Sequence, residues 1–176
     1  MTSHISNRSP SEIPDGVIAF RRAVEAGKID EVSRLLRDDP KVREAINQPL
    51  FSFGGRAIMQ AKANLDLVDL LLQHGADINL RSDWWAGSWG ILDQTNNEQA
   101  DALIARGAKL DVHSAIHLNR LDVARALLDS NPTLAHARGG DGCLPLHFAR
   151  SVEAIDLLQR FDIDLDVIDI DHRSTA

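Results

Sequence analysis

A pair of aliphatic residues recurs five times along this chain: Leu35-Leu36, Leu71-Leu72, Leu103-Ile104, Leu127-Leu128 and Leu157-Leu158. Three residues before the first member of each pair stands Val32, Val68, Ala100, Ala124 or Ala154. Apolar side chains at i, i+3 and i+4 make one stripe along a helix, facing a core. From pair to pair the chain advances 36, 32, 24 and 30 residues. Self-similarity at such a period marks a repeat architecture, in which neighbouring units cover each other's apolar faces. The period drifts, and the second, third and fifth units look clipped, with short first helices expected in each.

Turn chemistry supports the same division. Gly27 and Asn119 follow the first helices of units one and four, where the chain needs the left-handed turn that Gly, and next Asn, adopts most cheaply. Units one and four also share an exit: Asp38-Asp39-Pro40 matches Ser130-Asn131-Pro132, and each Pro forbids continuation of the helix before it. Units two and three leave through Gly75-Ala76-Asp77-Ile78-Asn79 and Gly107-Ala108-Lys109-Leu110-Asp111, with Gly as the helix stop. Unit five carries Phe161-Asp162 in that place and should end less tidily. Asn64, the box Thr95-Asn96-Asn97-Glu98, and Ser151 are the expected helix caps.

Near the C-terminus stands Pro145-Leu146-His147-Phe148-Ala149, just after Gly139-Gly140-Asp141-Gly142. Pro-Leu-His-x-Ala resembles the T-P-L-H-x-A signature of ankyrin repeats, with Leu144 in the place of Thr. Together with the Gly-Ala-Asp segment, it makes the chain similar to ankyrin repeats from about Val17 to Ala176. The resemblance implies an all-α solenoid of stacked helix-turn-helix units with short hairpin or finger loops. It implies that Pro145 opens a short helix, that Leu146 and Ala149 face the stack, and that His147 bonds back to its own loop. Residues 1–13, Ser-rich and polar, are expected to be a mobile lead-in, and 14–176 the repeat domain, about five units plus the start of a sixth at Asp171. Such an ending, without a polar capping helix, suggests a fragment of a longer protein.

Composition narrows the function classes. The formal net charge is −7, which argues against a phosphate backbone as partner, since that draws on clustered Lys and Arg. No run of about 18 apolar residues exists to span a membrane, and residues 1–10 lack the apolar core of a secretory signal. With the single cysteine Cys143 no intrachain disulfide can form, which fits a reducing, cytoplasmic setting.

The family implies non-catalytic binding of a protein partner through a concave face and finger loops. Arg81, Asp83, Trp84, Trp85 and His117 are the residues expected on that face. All three tryptophans lie within residues 84–89, and Trp is over-represented at binding hot spots. The alternative for each ring is filling volume left by the clipped helices, most of all for Trp89, near Ile91 and Leu92. Two further functions stay open: a small-ligand or carbohydrate site on the Trp loop, and a regulatory segment of a longer enzyme. An enclosed Trp-lined pocket would favour the ligand, and a flat aromatic groove the protein.

No cofactor or metal is expected. His113 and His117 share a helix face, but no third and fourth ligands are evident. The acidic series Asp162, Asp164, Asp166, Asp169 and Asp171 lacks the Gly and Glu of an EF-hand loop and reads as an extended finger with solvated carboxylates. Cys143 beside a helix start has no evident base and orienting group to make it a nucleophile. No phosphate loop or nucleophile elbow is present, and Gly139–Gly142 reads as a hairpin between units.

Overall fold

The computed structural model describes residues 13–171. Residues 1–12 of the expected lead-in at 1–13, and the segment 172–176, lie outside them. Nine α-helices form among the described residues: α1 (Asp15–Glu25), α2 (Ile29–Asp38), α3 (Pro40–Ala45), α4 (Ala57–Gln60), α5 (Leu65–Gln73), α6 (Asn97–Ile104), α7 (Val112–His117), α8 (Leu121–Ser130) and α9 (Val152–Gln159). Short 3-10 turns join them, and no β-strand forms among the described residues. The chain is all-helical.

The recurrent aliphatic stripes are the second helices α2, α5, α6, α8 and α9, and each packs inward. Leu36, Leu71, Leu103, Leu128 and Leu158 are at most 0% exposed, as are Val32, Val68, Ala100, Ala124 and Ala154. α1 packs on α2, α3 and α4, α2 on α5, α7 on α8, and α8 on α9. Two buried clusters result, one from Val17 to Leu118 and one from Val112 to Leu158, with Leu110 packed against both.

Of the three first helices expected to be short, two are short and one is missing. α4 has four residues, and Pro145–Phe148 is a single 3-10 turn. Unit three has no first helix, because residues 81–96 run as loop and turn. Buried side chains replace the missing helix: Ala86, Ile91 and Leu92 are each 3% exposed.

The stops and caps follow local chemistry. Gly27 and Asn119 have φ of 64° and 56°. Asp39 and Asn131 cap the segments opened by Pro40 and Pro132, accepting from Lys41 N at 2.9 Å and Thr133 N at 3.2 Å. Asn64 and Ser151 cap α5 and α9, with Leu67 N and Ala154 N as donors. The box starting at Thr95 is displaced by one residue: Asn96 accepts from Gln99 N at 2.8 Å, while the Thr95 hydroxyl donates to Leu92 O. Gly75 and Gly107 follow their helices at φ 90° and 100°. In unit five the left-handed residue is Asp162, at φ 53°.

Two asparagines stitch neighbouring units with one device. Asn47 donates to Gly75 O at 3.0 Å and accepts from Asp77 N at 2.9 Å. Asn79 does the same with Gly107 O and Lys109 N, at 3.0 and 2.9 Å. A side-chain amide offers both a donor and an acceptor, so one Asn satisfies two backbone groups of the next unit.

Candidate functional site

The loops between units stack into a row, and glycines set their spacing. Residues 51–55 and 139–143 form the same tight turn. Phe51 N donates to Gly55 O and Gly55 N to Ser52 O; Gly139 N donates to Cys143 O and Cys143 N to Gly140 O. Both turns place two successive residues at positive φ, Phe53-Gly54 and Asp141-Gly142. Loop 81–90 lies between them. Asp83 N donates to Gly54 O at 3.1 Å, and a Cβ on Gly54 would meet the Asp83 backbone at 2.7 Å. On the other side, a Cβ on Gly140 would fall 2.2 Å from the Trp89 ring. Asp141 O then accepts from Ile170 N and Asp171 N. The row thus runs 51–55, 81–90, 139–143 and 168–171.

This stacking exposes aromatic surface. Phe53 is 61% exposed and Trp85 69% exposed. Trp84 sits half-buried between them, 4.8 Å from Phe53 edge to face and 5.7 Å from Trp85. Trp89 turns the other way. It packs edge to face on Phe148 at 6.1 Å, and its indole N–H donates to Asp141 Oδ1 at 3.3 Å.

Behind the tips lies a groove of about 530 Å3. Phe53, Trp89 and Asp141 line its loop side; Met59, Lys62 and Gln94 line its helix side. Asp93 also lines it, and Asp93 belongs to a charged cluster with Arg81 and Asp111. Arg81 Nε donates to Ser88 Oγ at 2.9 Å; Nη2 donates to Ser88 O at 2.7 Å and to Asp93 Oδ2 at 3.3 Å; Nη1 pairs with Asp111. Asp93 is 4% exposed and also accepts from Gly90 N at 2.6 Å. Burial, reinforced by the neighbouring Asp111 charge, pushes the Asp93 carboxyl up to about 6, against the opposing pull of Gly90 N–H, Arg81 and Lys62. Lys62 reaches Asp93 O at 3.3 Å, and burial lowers its ammonium pKa against the attraction of Asp93.

The five expected surface residues divide. Trp84, Trp85 and Asp83 stand together on the loop, with Asp83 paired to Arg56 at 2.7 Å. Arg81 lies on the same loop but points inward, because it finds carboxylate and carbonyl acceptors there; it holds the loop in place. His117 departs from expectation: it is 6% exposed, and its Nε2 lies 2.9 Å from Thr95 O. With no first helix in unit three, the carbonyl of Thr95 needs a partner and the ring supplies it.

The other chemistry-bearing residues are engaged in the fold. His113 Nε2 is 2.9 Å from Ala137 O, and Leu144 N donates to His147 Nδ1 at 3.1 Å. Burial lowers the pKa of both His113 and His117. Burial pushes the Cys143 thiol up to about 11, aided by Asp169 and Asp141, the opposite of an activated nucleophile. The acidic series is not uniformly solvated, since Asp169 is 6% exposed.

Phe53, Met59 and Lys62 were not anticipated from sequence. The available signal was the doubled turn, Ser52-Phe53-Gly54-Gly55 against Gly140-Asp141-Gly142-Cys143. It marks Phe53 as a loop tip like Asp141, although the two share no side-chain chemistry.

Comparison with known proteins adds three findings. No curated protein matches the chain. Among solved structures, a chain of the "Bd0816 Predatory Endopeptidase from Bdellovibrio bacteriovorus in complex with immunity protein Bd3460" is similar at 24% identity, over 89% of this chain and 87% of that one, with a TM-score of 0.48. The family model described as ankyrin repeat matches residues 57–83. That match spans α4, α5 and the Asn79 stitch and ends at Asp83 in the aromatic loop, so residues 57–83 are similar to an ankyrin repeat.

Proposed function

We propose that this chain is a non-catalytic protein-interaction module. Residues 14–176 form a solenoid of ankyrin-type units, and a protein partner docks on the row of loop tips and into the groove behind them. The observation that carries this reading is the aromatic cluster at the tips. A Trp and a Phe more than half exposed, with a second Trp packed between them, form a contiguous apolar patch. Such patches mark interaction sites on soluble proteins, and Trp supplies large contact area in binding hot spots. The loops beneath are held by close backbone approach, so the surface pays little ordering cost on binding. Trp84, Trp85 and Asp83 form the recognition face, joined by Phe53. Arg81 positions the loop, and His117 belongs to the core. The module works in a reducing compartment, consistent with its single cysteine.

The test is affinity capture with the full chain beside the Phe53→Ala/Trp85→Ala double variant. A partner should be retained by the native chain and lost with the variant. Binding should then be reproduced with that partner purified, at least tenfold weaker for the variant. Equal binding by the two chains would refute the reading.

A further inference from the structure

Unit five presents apolar side chains at positions that the earlier units keep polar. Aligned on the aliphatic pairs, Val152 of α9 corresponds to Asp30, Asp66, Glu98 and Asp122, and Ile155 to Ser33, Asp69, Asp101 and Arg125. Val152 is 68% exposed and Ile155 is half-buried. Two of the matching positions show which way this side of the helix faces. Asp69 accepts from Arg106 at 2.6 and 2.9 Å, and Asp101 accepts from Arg120 at 2.6 Å. In both cases the arginine belongs to the next unit.

The turn after α9 repeats the exit of unit two. Asp162 takes the left-handed conformation of Gly75. Asp166 N donates to Asp164 Oδ1 at 2.9 Å, as Asn79 N donates to Asp77 Oδ1 at 2.9 Å. Leu165 therefore stands where Ile78 stands. Ile78 is 5% exposed and lines one small cavity with Ile91, Leu92 and Lys109 of unit three. Leu165 is 46% exposed. The residue after Ile78 is the stitch Asn79, which both donates to and accepts from unit three. Its counterpart Asp166 is a carboxylate and offers acceptors only, so it calls for a partner that brings donors.

We propose that this face of unit five, formed by Val152, Ile155 and Leu165, docks a basic amphipathic helix of a partner protein, laid where the next unit lies in the earlier pairs. The apolar residues supply the seat, and charge selects the occupant. Residues 150–176 carry seven carboxylates against three arginines, and so four of the seven net negative charges of the chain. Glu153, Asp156, Asp164 and Asp166, the neighbours of the apolar residues in sequence, are all exposed. A rim of Lys or Arg on the incoming helix complements them and is steered to them at low salt, whereas an acidic helix is repelled. The same repulsion opposes a second copy of this chain seated face to face. A second copy seated head to tail would bring little apolar surface, since Ile13 is the only exposed large hydrophobic before Phe53 among the described residues. This docking goes beyond the loop-tip reading and uses none of its residues.

The test titrates the full chain with a blocked helical peptide of about 18 residues, or five turns. It carries Leu at i, i+3, i+4 and i+7 and Lys on the flanks. One control has Glu for Lys, and another has the same composition with the Leu residues scattered off one face. Backbone amide resonances of the chain should shift in α9 and at 163–166. The Lys peptide should bind at least tenfold tighter than either control, with affinity falling as salt rises. Val152→Asp installs the acid that the other four units carry at this exposed position, so the fold should persist. It should weaken the Lys peptide about tenfold, whereas attraction by charge alone would make the variant bind more tightly. Leu165→Ala, at a second exposed position, should weaken it several-fold. Equal binding of the Lys peptide and a control would overturn the proposal, as would undiminished binding by both variants. So would a dimer of the native chain that Val152→Asp abolishes, since a second copy would then cover the face. Phe53→Ala/Trp85→Ala should bind the Lys peptide as the native chain does, which keeps failure here distinct from failure of the loop-tip reading. Loss of binding in that variant would place the peptide at the tips and overturn the assignment to unit five.

Discussion

Gly87 and Gly139 lie so close that a Cβ on Gly87 would stand 1.9 Å from the Gly139 carbonyl oxygen. The contact joins two loops 52 positions apart in sequence, and Gly87 also has φ of 141°, where side chains are strained. Gly87→Ala should therefore be destabilised by about 2–4 kcal/mol, from clash and strain together. Gly75→Ala is the control. Gly75 has φ 90° and nothing within 4 Å of an added Cβ, so only the backbone term applies, about 1 kcal/mol. Urea midpoints of the two variants check the difference.

Removing one asparagine should loosen one junction. Asn79→Ala loses a bond to Gly107 O and one from Lys109 N. These are exposed bonds that water can replace in part, so the cost should be about 1–2 kcal/mol. Hydrogen exchange should speed at Lys109, while Asp77, held by Asn47, is unchanged.

The three tryptophans should separate by stability. Trp85→Ala should change unfolding free energy by no more than about 0.5 kcal/mol, as for an exposed surface site. Trp89→Ala should cost about 3 kcal/mol, because its ring fills the space between Gly140 and Phe148. Iodide should quench a minor, red-shifted part of the emission readily. That part should disappear in Trp85→Ala.

Stability should respond to pH through Asp93. Its folded pKa, about 6, lies above the unfolded carboxylate value near 3.9. Between those values the folded chain holds a proton that the unfolded chain has lost. The Asp93 contribution is therefore fully present below about pH 4 and is lost as pH rises through 6. His113 and His117, with lowered pKa values, act in the opposite sense: their contribution is present above the unfolded value of about 6.5 and is lost as pH falls. Comparing Asp93→Asn with the native chain removes the histidine part. The melting temperature of the variant relative to native should rise from pH 4 to 6 and level off above. A constant difference across that range would contradict the buried carboxyl.

The repeats, their inward stripes and most of the turns were determined by the sequence alone. Their causes are local: helical spacing places Val32, Leu35 and Leu36 on one face whatever surrounds them, and the conformational ease of Gly27 and Asn119 belongs to those residues. The site was only half legible. Three tryptophans in six residues pointed to loop 81–90, but which ring faces water depended on contacts far away in the chain. Trp89 turns inward because Gly140, Asp141 and Phe148 receive it, whereas nothing comparable covers Trp85. His117 looked available beside His113 until unit three proved to have no first helix, leaving the Thr95 carbonyl for its ring to bond. Arg81 was placed on the right loop, yet its direction was decided by Asp93 and Asp111, 12 and 30 residues further on. Local conformational preference is written residue by residue, but exposure and charge pairing are properties of the assembled stack, so only the tertiary structure could decide them.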